Sequence, residues 1–204
     1  PHSDHLGGLP ALLRDVSIGR IFHNGQTMHT ELFDEKMHLL DSLQVAHHAV
    51  FAGDTLQLDP DVRAHVLAPL HHIHYPPAMA NDASVVLRLK YGATSFLFTG
   101  DAELLAEQTM LQQYQDLLRS DVVKVGHHGS STSSTPPFIE AVIPDTSAST
   151  KAIVSVGAWN MFGLPSEDVL QRWRDRGAAV RVTGREGAVW LRSDGEEIER
   201  VQWK

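Results

Sequence analysis

Cysteine is absent from all 204 residues. That excludes disulfides, thiolate metal sites and cysteine nucleophiles, and it leaves the cellular compartment open. Long apolar runs are also missing: no stretch approaches the roughly 18–20 residues of a bilayer-spanning helix. No secretory leader pattern is present. Basic charge is in deficit, with 17 Lys and Arg against 25 Asp and Glu, for a formal net charge of −8. A protein that grips nucleic acid along a long footprint is usually basic. The balance here argues against a broad non-specific DNA surface, though not against a small site where metal ions meet one phosphate. The chain starts at Pro1 rather than Met, and reads as a fragment whose upstream strands, targeting sequence or membrane segments lie out of view.

What is present is ordinary for a globular protein: 42 % hydrophobic residues and 21 % charged ones. The length suits one substantial α/β domain or two small ones. There are 13 histidines, several clustered as His47-His48, His71-His72-Ile73-His74 and His127-His128.

Strand and helix signals alternate. Residues 11–15 follow Pro10 as a short helix. Residues 18–23 read as a strand, 30–43 as a helix with a 3–4 apolar stripe, and 46–51 with 55–58 as a hairpin about Gly53-Asp54. Strands follow at 62–67, 84–89 and 95–98, the last apolar on both faces and so buried. A helix spans 102–118, a buried strand 121–125, a Ser/Thr-rich loop 130–137 and a helix from 138. Residues 152–156 form a strand and 167–177 a helix. Residues 179–183 and 188–192 read as a closing hairpin. With no internal repeat and no long linker, the reading is a single domain over residues 1–204, with helices outside packed sheets.

Three motifs sit at turns or strand ends, where α/β proteins commonly carry their sites. The first is His2-Ser3-Asp4-His5 followed by Gly7-Gly8. Two imidazoles and a carboxylate within four residues suit zinc, manganese or iron, but alone the match is weak in a His-rich chain, and a solvated N-terminal loop is the plainer reading. The second is Thr99-Gly100-Asp101. A carboxylate leaving a buried strand needs a partner, either a helix that it caps or a metal. The third is Gly126-His127-His128-Gly129, where flanking glycines let adjacent imidazoles turn into a cleft. Two surface histidines in a turn are the plain alternative.

Together and in this order, the motifs follow the pattern of the metallo-β-lactamase superfamily. Residues 81–89, 96–101 and 123–130 resemble the metallo-β-lactamase domain of ComEC/Rec2 competence proteins. So do Ser155-Val156-Gly157, Asn160, Gly163, Pro165 and residues 183–195. The resemblance implies a four-layer αββα sandwich of mixed sheets whose first strands are missing from this chain. It implies two divalent metal ions, zinc or manganese. His2, Asp4, His5, Asp101 and His127 are the expected ligands, with Asp101 bridging, and the motif's first histidine would precede Pro1. Asp4, His128 and Asn81 are the residues expected to act in catalysis. Asn81 stands where the superfamily carries a middle histidine, and His71, His72 or His74 are weaker substitutes. Hydroxyls of residues 130–135 would position a phosphate.

The activity implied is phosphodiester hydrolysis of DNA, single-stranded by preference, by a metal-activated hydroxide. The domain would belong to a membrane channel for DNA uptake and face the extracytoplasmic side of the bacterial inner membrane, or be cytoplasmic if it stands alone. No oligomeric state is implied. Two departures from the family pattern are visible. Leu164 replaces a histidine between Gly163 and Pro165, and Ser131 replaces a lysine after Ser130. Each removes a group able to hold or protonate a phosphate. Hydrolysis of an ester, thioester or lactam therefore stays open, as does a non-catalytic domain that binds DNA or metal.

Overall fold

A computed structural model describes residues 2–145 and 149–202. Pro1, the residue before His2 in the first motif, lies outside the described residues. The chain divides into two compact units, Pro1–Val50 and Phe51–Lys204.

In the first unit, α1 (Ser3–Leu6) and α2 (Leu9–Asp15) precede β1 (Arg20–His23), α3 (Glu31–Ser42) and β2 (Ala46–Ala49). Thr30 caps α3, its hydroxyl accepting from Phe33 N at 3.2 Å. β1 and β2 pair in parallel, Arg20 opposite Ala46, because α3 carries the chain back before β2 begins. The hairpin expected between residues 46–51 and 55–58 is therefore not formed. β3 (Thr55–Asp59) instead turns at residues 60–61 into β4 (Val62–Ala68).

The second unit is built on a seven-stranded sheet in simple order: β3, β4, β5 (Val86–Tyr91), β6 (Thr94–Phe98), β7 (Val122–Lys124), β8 (Lys151–Val154) and β9 (Ala179–Val182). β3 to β6 form an antiparallel meander. From β6 onward the strands are parallel, because a helix separates each pair: α4 (Leu104–Leu118), α5 (Pro136–Val142) and α6 (Glu167–Asp175). β9 thus closes the sheet beside β8, and does not pair with the strand that follows it, as the sequence pattern suggested. The terminal hairpin is β10 (Trp190–Ser193) with β11 (Ile198–Val201), one element later, after α7 (Thr183–Glu186).

Leu97, Val123 and Ala152 of three neighbouring strands are buried against Met110 and Leu118 of α4, Phe138 of α5 and Trp173 of α6. Each Val, Leu or Met buried this fully contributes about 1.5–3 kcal/mol. This core fixes the carboxyl ends of β6, β7 and β8 side by side, where parallel sheets place their ligands. The 69–85 connection from β4 to β5 reaches the same end, since Leu87 lies opposite Phe98.

Candidate metal centre

β6 ends in Thr99-Gly100-Asp101. Thr99 Oγ1 donates to Lys124 O at 2.7 Å, tying this end to β7. Gly100 has φ +56°, and a Cβ there would lie 2.8 Å from Ser84 Cβ. Only glycine admits that approach, and it lets Asp101 N donate to Ser84 Oγ at 2.9 Å.

Asp101 is 4 % exposed. It does not begin the next helix: α4 starts at Leu104. The carboxylate accepting from that helix's first amides belongs to Asp82, whose Oδ1 takes Glu103 N at 3.2 Å and Ala106 N at 2.9 Å. Burial pushes the Asp82 carboxyl above its usual range, against those two amide donors. The cap is thus supplied from another loop, and Asp101 is left to the cleft. There Lys124 Nζ lies 3.7 Å from its Oδ1 and His128 Nε2 lies 3.5 Å from its Oδ2. Lys124 Nζ also donates to Gly100 O at 2.7 Å.

β7 ends in a 3-10 turn, Gly126–Gly129. His127 and His128 both take the left-handed backbone, φ 44° and 53°, a conformation that costs non-glycine residues on the order of 1–3 kcal/mol each. The turn aims the two rings differently. His128 Nδ1 lies 2.7 Å from Ser155 O at the end of β8. A carbonyl only accepts, so Nδ1 carries hydrogen and Nε2 faces Asp101. The Asp101 carboxylate raises the His128 pKa, burial opposes it, and the Ser155 carbonyl adds to the rise. His127 Nδ1 lies 2.8 Å from Glu103 Oε1, which also accepts from Thr132 Oγ1 at 2.6 Å.

Both histidines therefore have Nδ1 engaged by an oxygen acceptor, which in the neutral ring leaves Nε2 as the ligand atom. Metal-binding histidines are oriented in this way. The 3.5 Å between Asp101 Oδ2 and His128 Nε2 is long for a strong hydrogen bond. It suits two donors reaching one cation with bonds of about 2.0–2.2 Å. Within the second unit, Asp101 and His128 together offer a metal ion one carboxylate oxygen and one imidazole nitrogen. The donor set thus fits a divalent cation.

The other expected residues are placed as follows. His2 precedes α1, which carries Asp4 and His5, with Asp4 Oδ2 3.8 Å from His5 Nε2. Asn81 is half-buried in the 69–85 connection, three residues before the Ser84 that holds Asp101 N. His71, His72 and His74 are exposed, with the His71 ring edge-on to Phe51. His47 Nδ1 lies 3.4 Å from His23 Nε2 within the first unit. Of the 130–135 hydroxyls, Thr132 reaches Glu103 and His127, while Ser134 accepts from Trp173 Nε1 at 3.1 Å.

Sequence reasoning missed Glu103, Lys124, Asp82 and Glu107. Glu107, on α4 and 2 % exposed, accepts Ser134 N at 2.5 Å and Thr135 N at 2.8 Å, pinning the 130–135 loop. Burial pushes its carboxyl up to about 7. The signals available were a carboxylate two residues after Asp101 and a lysine two residues before Gly126.

Residues 1–148 match the metallo-beta-lactamase superfamily model. The chain is 34 % identical over 191 residues to ComE operon protein 3 of Bacillus subtilis (strain 168), covering 93 % of this chain and 23 % of that protein. It is 37 % identical over 109 residues to Competence protein ComA of Neisseria gonorrhoeae (53 % of this chain, 15 % of that protein). It is 36 % identical over 126 residues to Recombination protein 2 of Haemophilus influenzae (61 % and 15 %). The chain thus spans under a quarter of the length of these relatives. Among the described residues, no helix is long and apolar enough to cross a membrane.

Proposed function

Because the chain belongs to the metallo-β-lactamase superfamily, we propose that it is a metal-dependent phosphodiesterase domain acting on DNA within a DNA-uptake protein of the bacterial inner membrane, on its extracytoplasmic side. One observation carries this reading. Asp101 Oδ2 and His128 Nε2 face each other at 3.5 Å at the ends of adjacent parallel strands, with the His128 tautomer set by Ser155 O. Two zinc or manganese ions are the proposed cofactors. When bound, they supply Lewis acidity and lower the pKa of water.

The residues do the rest. Asp101, His127 and His128 present oxygen and nitrogen donors, and the sequence motif adds His2, Asp4 and His5 to the same set. Glu103 and Ser155 O hold the two imidazoles in the ligand tautomer. Lys124 supplies positive charge beside Asp101. Asn81 and the Ser130 hydroxyl offer hydrogen bonds to a phosphate oxygen, while the Thr132 hydroxyl is committed to Glu103. The names of the relatives, a competence protein and a recombination protein, support DNA as the substrate.

The test is hydrolysis of single-stranded DNA, of bis-p-nitrophenyl phosphate, and of a carboxylic ester and a lactam, with added zinc or manganese. Phosphodiester turnover is expected. Asp101→Asn should reduce it more than the roughly 10–100-fold typical of a residue outside the ligand shell. Turnover of the ester or lactam alone, or undiminished turnover in D101N, would overturn the reading.

A further inference from the structure

The loop after β8 carries Trp159, Met161 and Phe162 at 99 %, 90 % and 78 % exposure. Large apolar side chains grouped in this way on a surface mark a contact site. The loop is built rather than loose. Asn160 Nδ2 donates to Gly157 O at 3.2 Å and to Leu164 O at 2.8 Å, while Leu164 N donates back to Asn160 Oδ1 at 2.9 Å. Val156 N donates to Thr183 Oγ1 at 2.9 Å, holding the loop's first residues to the first residue of α7. The polar side chain in the middle is thus used inward, and the three apolar ones are turned out.

Both ends of this loop are joined to the turn that carries His128. Ser155 O accepts from His128 Nδ1, and Ser166 N donates to Gly129 O at 2.9 Å. A Cβ on Gly129 would lie 2.6 Å from Pro165 Cβ. The apolar loop is therefore continuous with the Asp101–His128 cleft. Residues 155–166 contain no charged side chain, in a chain of net charge −8. A segment that lies on a membrane surface normally pairs its apolar residues with Lys or Arg, and this loop has none. Flat rings beside a phosphate site instead match a ligand that alternates phosphate with aromatic base. Such rings bind single strands through base stacking, which tolerates any sequence.

We infer that the Trp159–Phe162 loop is a stacking platform for the bases of a single-stranded polynucleotide whose backbone enters the Asp101–His128 cleft. The inference rests on the phosphodiesterase reading for the identity of the cleft. It adds to that reading the residues that would recognise an unpaired strand, since paired bases present no free face.

The experiment uses the whole chain loaded with zinc or manganese. Oligothymidylate and an abasic strand of equal length are compared as ligands and as substrates, with tryptophan fluorescence as the binding signal. Oligothymidylate should quench the fluorescence and bind about tenfold or more tightly than the abasic strand. Trp159→Ala should remove the quenching and most of that preference, Trp159→Phe should keep part of it, and Phe162→Ala should reduce it. Because the loop is uncharged, the preference should survive added salt that weakens phosphate contacts. Equal binding of both strands, or an unchanged preference in W159A, would overturn the inference even if both strands are cleaved. Fluorescence that responds to anionic phospholipid vesicles but not to oligothymidylate would also overturn it. Stacking on Trp159 without cleavage of any phosphodiester would leave the inference standing and sink the hydrolase reading.

Discussion

His127 Nδ1 and Glu103 Oε1 lie 2.8 Å apart, and the same oxygen accepts the Thr132 hydroxyl. Two residues after Asp101, Glu103 thereby sets which nitrogen of His127 is free for a metal. Glu103→Ala should lower metal affinity by about 10–100-fold, the usual effect of losing a histidine's orienting partner. Glu103→Gln, which keeps an oxygen acceptor, should retain more. Calorimetric titration with zinc checks both, and an affinity unchanged in E103A would remove Glu103 from the centre.

Gly100→Ala places a methyl group 2.8 Å from Ser84 Cβ on a backbone of φ +56°. The strain and the displaced Ser84–Asp101 hydrogen bond should cost about 1–3 kcal/mol of stability. Metal affinity should fall with it, because Asp101 moves. Urea unfolding and zinc titration on the same preparation measure the two effects.

Asp82 caps α4 from outside the helix. Asp82→Ala should destabilise the protein by about 1–2 kcal/mol, and Asp82→Asn by less, since its amide oxygen still accepts. Thermal melts rank the three proteins. Equal melting of wild type and D82A would mean that the cap is not needed.

Glu107 gives a pH dependence with a definite sign. Burial holds its carboxyl at about 7 in the folded protein, above the 4.5 of an ordinary glutamate, so the native state holds the extra proton between these values. Stability from this group is complete below about 4.5 and declines as pH rises through about 7. The full difference is on the order of 3 kcal/mol. Glu107→Gln should flatten this part of the profile. It should also lower stability overall, because one of the two loop amides then meets an NH2 donor and loses its acceptor. Urea unfolding from pH 5 to 8 reads both. A wild-type stability that rises over this range in step with E107Q would contradict the assignment.

The three motifs were legible because residue type and strand-end position suffice to mark them, and α4, β6 and β7 lay close to where apolar periodicity put them. What pairs with what was less legible. β2 binds β1 and β9 binds β8 through helical crossovers, and local turn signals at Gly53-Asp54 and after Thr183 carry no information about partners so far away. The capping question at Asp101 was decided by Asp82, nineteen residues earlier in the chain. His127 and His128 are indistinguishable as neighbours in a sequence. Their left-handed dihedrals send one ring to Glu103 and the other to Asp101. Nothing in residue type distinguishes Trp159 and Phe162 from core aromatics such as Phe138 and Trp173; only their exposure does.

The change from antiparallel to parallel pairing at β6 divides the sheet into two ends with different tolerances. The loops after β6, β7 and β8 and the 69–85 connection gather at one end, so insertions there disturb chemistry. The turn at residues 60–61 lies at the other, since Val62 sits opposite Tyr91 and Ala68 opposite Val86. That turn joins exposed residues and is a natural graft point. A reporter peptide or a neighbouring module could be inserted there, and the fold could diversify its attachments during evolution without touching the Asp101–His128 cleft.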